Sequence, residues 1–484
     1  MSQGFGTAHS LDGAFGSDVV RGIIAGRCNT APMHWTAGAV ADAVGGVLRG
    51  PDTNIDSVSQ DTREITPDGR YLFVPIVADR DGHDFIPAAI EAGAAAYLTS
   101  RPADPSFEAI GDLAAVEVDD TSVALIDLGR AARSRLDSAS VIAVTGSVGK
   151  TTTKDFLAAV ARTGRLTHAN LRSFNNEIGV PLTLLGAPEN AEVVIIEMGS
   201  RGMGDIARLC EIVRPTTGVV TTVGGAHTSE FGTVEAVARA KAELVEALPA
   251  SGLAVLNADV ELVAGMAERT KAAVVTFGVG NSGGRAPADV RAERIELDDQ
   301  LAPSFTIVAS EGEVRVRLGA RGAHLVSNAV AAAAVGLHLG LSLDQIAEGL
   351  ATPIVSPMRM ELVHLSDGVR VIDDSYNANP MSTEAALRSL NALPATRRVA
   401  VLGVMAELGE ESDSEHARIG ELADALGIDL LTVDAPAYAG HDLASIEDAV
   451  AALADLPAGS AILVKGSRVA GLERLVERLR AADG

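Results

Sequence analysis

A chain of 484 residues exceeds what one hydrophobic core serves, and at roughly 150 residues per domain it calls for about three modules. Apolar residues make up 47% and charged residues 21%, enough to fill buried cores, so wholesale disorder is excluded. The formal charge of −25 is the wrong global field for a non-specific DNA or anionic-membrane binder, so any anionic ligand must be held by local groups.

Residues 1–32 are Gly- and Ser-rich, carry scattered acids and arginines, and lack the apolar core of a secretory signal; they read as a loose extension. Apolar runs such as the Ala-rich one around Ala329 to Gly336 fall short of the roughly 18 residues a membrane span needs, so no membrane insertion is expected. Cys28 and Cys210 are too few and too far apart for a disulfide framework or a cysteine zinc site, which favours the cytoplasm. Residues 33–137 mix an Ala-rich amphipathic helix (Ala37 to Val47), a β run (Tyr71 to Pro75) and the turn Pro67-Asp68-Gly69, as a small α/β domain would.

Across residues 138–354 apolar runs at Val141 to Thr145, Val193 to Ile196, Gly218 to Val223, Leu253 to Leu256 and Val274 to Phe277 alternate with helical stretches. That alternation predicts a doubly wound parallel sheet. Between Val290 and Leu318 the text changes to the alternation of Val314-Arg315-Val316-Arg317-Leu318, predicting antiparallel strands in a separate side sheet, and an Ala-rich helix follows from Asn328 to Leu339. The Pro-flanked segment Thr352 to Pro357 marks a boundary. In residues 355–484, strands at Val369 to Asp373, Arg398 to Gly403, Leu430 to Val433 and Ala461 to Lys465 predict a second open, Rossmann-like α/β sheet.

The first of the central strands runs into Gly146-Ser147-Val148-Gly149-Lys150-Thr151-Thr152, after which Phe156, Leu157 and Val160 fall at helical spacing. Strand, glycine turn and helix put backbone N–H groups, the helix dipole and an ammonium on one anion, and a triphosphate fits. The glycines are one residue closer than in the usual P-loop. Lys150 is expected on the β- and γ-phosphates of ATP and the Thr151 hydroxyl on Mg²⁺. Glu197 ends the strand Val193 to Ile196 at the carboxyl edge where ligands bind in such folds, making it the first candidate metal ligand or else a solvated strand-end acid. His324 and Asn328, four apart, share a helix face and either present polar groups to a base or cap the helix. Lys465-Gly466-Ser467-Arg468 offers cations and N–H groups after a predicted strand.

The run from Thr145 through Gly146, Ser147, Val148, Gly149, Lys150 and Thr151 to Thr152 resembles the shortened phosphate loop of the Mur ligases and their folylpolyglutamate synthase relatives. Asn175-Asn176-Glu177-Ile178-Gly179-Val180-Pro181 and Asp373-Asp374-Ser375-Tyr376-Asn377-Ala378-Asn379-Pro380 resemble signatures of the branch of that family that adds a dipeptide. The resemblance spans roughly residues 34 to 484 and implies the three-domain architecture of the family. It also implies an ATP- and Mg²⁺-dependent ligase that joins D-alanyl-D-alanine to UDP-N-acetylmuramoyl-tripeptide through an acyl phosphate, acting in the cytoplasm as a monomer. A ligase adding the third stem residue, a folylpolyglutamate synthase and a nucleotide-dependent switch are the alternatives, against which the two asparagine-bearing motifs weigh.

Carried over residue by residue, the resemblance implies catalytic roles for Lys150, His227 and Lys241, with Thr151, Glu197, His227 and Lys241, the last as a carbamate, on magnesium. Without it Lys241 reads as an ordinary helical lysine beside Glu243. Arg359 and Asp373 would close over ATP, near phosphates and ribose, while His324 and Asn328 face adenine. Ser59, Asp61, Thr62, Arg63, Asp81, Gly82 and His83 would hold the UDP end. Asn175 and Asn176 would meet the peptide, and Tyr376, Asn377, Asn379, Lys465 and Arg468 the dipeptide. Val404 and Thr222 depart from residues common in the family, as does Val77-Ala78-Asp79-Arg80.

Overall fold

A computed structural model describes residues 32–102, 113–170, 174–224, 231–280, 287–353 and 356–483. The loose extension expected over 1–32, His227 and Cys28 lie almost wholly outside the described residues, only Pro32 being described. The chain divides into two compact units, one of residues up to Val141 with Leu166–Ile196 and Arg208–Arg214, the other of the remainder.

The first unit opens with β1 (Trp35–Thr36), β2 (Val47–Arg49), β3 (Asn54–Ile55), β4 (Ser57–Ser59), β5 (Tyr71–Phe73), β6 (Ala94–Thr99) and β7 (Ala114–Glu117). Five of these form a sheet of order β2-β7-β6-β5-β4, parallel except for β2. Phe73 and Tyr97 face the same core as Ile86 and Ala89. The helix expected to reach Val47 ends at Val44: the Thr36 hydroxyl caps its start, and Gly45, at φ 63°, turns the chain so that Val47 enters β2 instead.

Next come β8 (Ser140–Thr145), β9 (Thr167–Ala169), β10 (Val193–Glu197), β11 (Thr217–Val220), β12 (Leu253–Asn257), β13 (Ala273–Val279), β14 (Val290–Leu297), β15 (Pro303–Ala309) and β16 (Gly312–Arg317). They make one nine-stranded sheet of order β16-β15-β14-β13-β12-β11-β8-β10-β9. The separate side sheet expected from the alternation is therefore absent: β14 pairs in parallel with β13, Phe277 opposite Val290, and only β15 and β16 turn antiparallel. The cause is the Ala-rich helix, Leu325–His338 rather than Asn328–Leu339, whose buried face packs on β13 and β14 alike and gives them one core.

The last sheet holds β17 (Glu361–His364), β18 (Arg370–Asp373), β19 (Arg398–Leu402), β20 (Asp429–Val433), β21 (His441–Leu443) and β22 (Ala461–Lys465), in order β17-β18-β22-β19-β20-β21. All neighbours run parallel except β17 and β18. Side chains alternate across it: Ile372, Ala400, Leu402 and Leu463 fill one core, and Val371, Val399, Val401, Ile462 and Val464 the other. Strands covered on both faces read as continuous apolar runs, which is why these were legible in the sequence.

Candidate active site

The turn after β8 is closed by backbone that only glycine permits. Gly146 has φ 147°, and a Cβ there would sit 2.0 Å from the Thr221 hydroxyl oxygen; Gly149 has φ 84°, and its Cβ would sit 2.2 Å from Asn328 Nδ2. The loop is clamped from β11, since Thr221 Oγ1 donates to the Val148 carbonyl at 2.6 Å and the Ser147 N–H donates to Thr222 O at 2.8 Å. Asn257, at the end of β12, holds Thr221 in turn through its carbonyl at 2.7 Å. The helix Lys150–Ala161 then starts at Gly149 with no side-chain cap, so the positive end of its dipole faces the turn, as at an anion site.

Lys150 Nζ bends back to donate to Gly146 O at 2.8 Å. Burial lowers its pKa, Glu197 works against that shift, and Arg359 adds to it. The Thr151 hydroxyl donates to Glu197 Oε2 at 2.8 Å, and Arg359 Nη2 donates to the same Thr151 oxygen at 3.1 Å while its guanidinium stacks 4.2 Å from the Tyr376 ring centre. Phosphate loop, strand-end carboxylate and the arginine after Pro357 thus meet at one hydroxyl. Glu197 is 1% exposed, so its charge is directed into this cluster rather than into solvent. A hydroxyl and a carboxylate oxygen are the hard donors magnesium prefers.

Lys241, on the helix Val234–Glu246, is also 1% exposed, and its Nζ donates to Ser200 Oγ at 2.6 Å. Burial, with the Lys150 ammonium nearby, pushes its pKa down to about 7 against the pull of Asp205 and Glu243. It is not the exposed helical lysine that its sequence context alone suggests. Among the described residues no three His, Cys, Asp or Glu side chains gather into a metal cage.

Two matches decide the family. Residues 144–336 match the Mur ligase middle domain and residues 358–468 the Mur ligase glutamate ligase domain. The chain is 40% identical, over 93% of its length and 98% of the relative's, to the UDP-N-acetylmuramoyl-tripeptide–D-alanyl-D-alanine ligase of Mycobacterium tuberculosis, and 36% identical to that of Escherichia coli over 92% and 98%. The chain belongs to the Mur ligase family. Among solved structures, MurF from Acinetobacter baumannii superposes with a TM-score of 0.82 at 30% identity, covering 93% of this chain and 99% of that one. MurF from Thermotoga maritima, solved with ADP, gives 0.73 at 27% identity over 87% and 96%.

In this Mur ligase the other expected site residues fall into three groups. Thr145 donates to Met198 O at 2.9 Å, and Thr152, like Thr151, is buried in the first helical turn, so both shape the loop. Asn328 Nδ2 donates to Thr153 Oγ1 at 2.9 Å and to Gly149 O at 3.3 Å, which ties the Ala-rich helix to the phosphate loop; His324 stands one residue before that helix with its side chain exposed. Asp373, buried at the end of β18, accepts from Ser375 N–H and Oγ, yet burial raises its pKa to about 6.

Several asparagines and one lysine serve the loops themselves. Asn379 caps the helix Pro380–Ala392 in a reciprocal box with Ser382, Asn377 accepts from the Ala378 N–H, and Asn176 accepts from the N–H groups of Ile178 and Gly179. Lys465, expected to offer its charge to a ligand, is 2% exposed and donates to Asp374 Oδ2 at 2.5 Å and to Asn377 O at 2.8 Å. Arg468 is placed against Glu473 at 3.3 Å. Sequence reasoning missed Thr221, Asn257 and Ser200, which no motif marks because each acts on a neighbour rather than on a ligand.

In the first unit, Ser59, Phe73 and Thr99 end three adjacent parallel strands, and the expected substrate loops follow the first two. Ser59 Oγ donates to Glu64 Oε2 at 3.0 Å, and Asp61 pairs with Arg63 at 2.6 Å, with Thr62 opening the helical turn between them. Gly82 packs so close to Ile76 that a Cβ would lie 2.5 Å from its backbone. His83 is buried, its Nδ1 2.6 Å from Asp81 Oδ1 and its Nε2 accepting the Ser100 N–H at 3.0 Å. The N–H and ring of His83, then Arg101, hold the Asp81 carboxyl down at about 2. Asn175 stands in the segment before the helix Gly179–Leu185.

Proposed function

We propose that this protein is the ATP-dependent ligase that joins D-alanyl-D-alanine to UDP-N-acetylmuramoyl-tripeptide, giving the UDP-muramoyl-pentapeptide of peptidoglycan precursor synthesis, in the cytoplasm and as a monomer. The observation that carries the reading is the convergence of Glu197 and Arg359 on the Thr151 hydroxyl, at the foot of a glycine turn whose carbonyl Lys150 holds, in a chain collinear with ligases of that name. No described helix is long and apolar enough to cross a membrane, as suits an enzyme of soluble precursors.

A carboxylate is a poor electrophile. ATP corrects this by transferring its γ-phosphoryl group to a carboxylate oxygen of the tripeptide, with ADP leaving; the dipeptide nitrogen then attacks the carbonyl carbon, phosphate departs, and the nitrogen loses a proton. The loop N–H groups and Lys150 hold the phosphates, and Arg359 stabilises charge on the group in transfer. Thr151 and Glu197 supply oxygens for Mg²⁺, with His227 the further candidate implied by the resemblance. The magnesium offsets repulsion between anionic reactants. Lys241, buried and with its pKa pushed down to about 7, is in part the neutral amine at neutral pH and so suited to capture CO₂ as a carbamate, which would replace an ammonium beside Lys150 with an anionic oxygen donor. Asp373 and His324 would meet ribose and base, and the loops after β4 and β5 the UDP end. Domains over 33–137, 138–354 and 355–484 would then take UDP-substrate, nucleotide and acceptor respectively. Hydroxylamine tests the chemistry: with ATP and UDP-tripeptide but no dipeptide it should trap a hydroxamate, and no hydroxamate with ADP still released would refute the acyl phosphate.

A further inference from the structure

Arg359 sits between two left-handed residues, Met358 at φ 59° and Met360 at φ 53°, a conformation that L side chains rarely adopt. Such backbone persists where its surroundings dictate it, and it clusters at functional sites. Residues after β18 hold the segment from one side: the Tyr376 N–H donates to Met358 O and the Met360 N–H to Asp374 Oδ1, each at 3.2 Å. Two further bonds tie it to the helix Lys150–Ala161. Arg359 donates to Thr151, and three residues earlier in the chain the Ser356 hydroxyl donates to Asp155 Oδ2. Thr151 and Asp155 stand four apart and so share one face of that helix. Lys154, its side chain fully buried, places Nζ 3.1 Å from Asp155 Oδ1 and leaves Oδ2 to the serine.

The two ties fare differently once the site is loaded. On the ligase reading Thr151 gives its oxygen to Mg²⁺, and a guanidinium on that same oxygen would face a second cation at close range. Arg359 then leaves Thr151 for the phosphoryl group, whereas Asp155, one helical turn further on, keeps its serine. The Ser356–Asp155 bond is therefore the contact that holds the segment to the helix while the guanidinium changes partner. We propose that Asp155, acting through Ser356, positions Arg359 on the phosphoryl group in transfer. Both are positioning residues, since each acts through the arginine. The inference rests on the ligase reading above and adds to it the anchor from which Arg359 works.

Ser356→Ala removes the bond and leaves the Asp155 carboxylate paired with Lys154, so no charge is stranded. Its kcat should fall roughly 10- to 100-fold, as the loss of a hydrogen bond to a carboxylate allows, with KM for D-alanyl-D-alanine and for UDP-tripeptide within about twofold of the parent. In an Arg359→Ala background the same change should cost no more than about twofold, because the anchored group is already gone. Hydrogen exchange adds a readout that needs neither substrate nor metal. In nucleotide-free Ser356→Ala a peptide covering residues 356–360 should take up deuterium at least about tenfold faster than in the parent, with β8 and β11 unchanged. An unchanged kcat, unchanged exchange, or an equal loss in the Arg359→Ala background would overturn the assignment. A parent that fails to couple ATP cleavage to dipeptide addition sinks the ligase reading and this inference together, whereas a coupled parent with an indifferent Ser356→Ala sinks this inference alone.

Discussion

Lys465→Met would leave the Asp374 carboxylate inside the second unit without its ammonium. The two groups are 2.5 Å apart, with side-chain exposures of 2% and 15%, so little water reaches the contact to screen it. Removing one partner of such a pair costs about 3–5 kcal/mol, because the remaining charge stays buried, and the Asn377 carbonyl loses its donor as well. In a chain of several modules a single global unfolding free energy is poorly defined, so the suitable assay is native-state hydrogen exchange at the amides of β22 and β18. The loss translates into exchange faster by roughly two to four orders of magnitude there, with β8 and β11 amides little changed. Lys465→Met combined with Asp374→Asn removes the stranded charge and should recover most of that protection. A change below tenfold in the single variant, or losses that simply add in the double one, would refute the view of Lys465 as half of an internal ion pair.

Burial holds the Asp373 proton up to about pH 6 against an ordinary 3.8. The unfolded chain therefore releases its proton first as pH rises through that window, and native stability falls across it by up to about 3 kcal/mol. Asp373→Asn should match the parent's local stability near pH 4 and exceed it above pH 6, as read from native-state hydrogen exchange at the β18 amides at both pH values; equal protection at pH 7 would contradict the shift. Gly149→Ala must place a methyl against Asn328 and hold alanine at φ 84°, so nucleotide affinity should fall at least about tenfold in equilibrium titration, and unaltered affinity would mean the loop does not carry the phosphates. Lys241→Ala should lose most activity and regain part of it with added formate or acetate, whereas full activity without rescue would remove Lys241 from the metal site.

The strands covered on both faces were legible because continuous apolar runs such as Val141 to Val144 and Val399 to Leu402 admit few other structures. The glycine turn was legible because its backbone needs override composition. Less legible was the allegiance of β14 to β16: alternation reports one exposed face but not which sheet a strand joins, and that was settled by the packing of the helix that follows them. In the site, the carboxyl end of a parallel strand singled out Glu197 and the glycine-turn pattern singled out Thr151, and the two are hydrogen-bonded. Lys465 shows the limit, since nothing about a lysine at a strand's end reveals the internal partner, Asp374, that its ammonium meets. The departure at Val404 leaves the turn after β19 intact because its contribution is a carbonyl that accepts the Ser467 N–H at 2.9 Å.

The account turns on coupling between ATP cleavage and dipeptide addition. Purified protein with ATP, Mg²⁺ and UDP-N-acetylmuramoyl-tripeptide carrying either diaminopimelate or lysine should release one phosphate for each UDP-pentapeptide formed, and only when D-alanyl-D-alanine is present. Steady phosphate release that ignores the dipeptide, or no pentapeptide from either tripeptide, would contradict it.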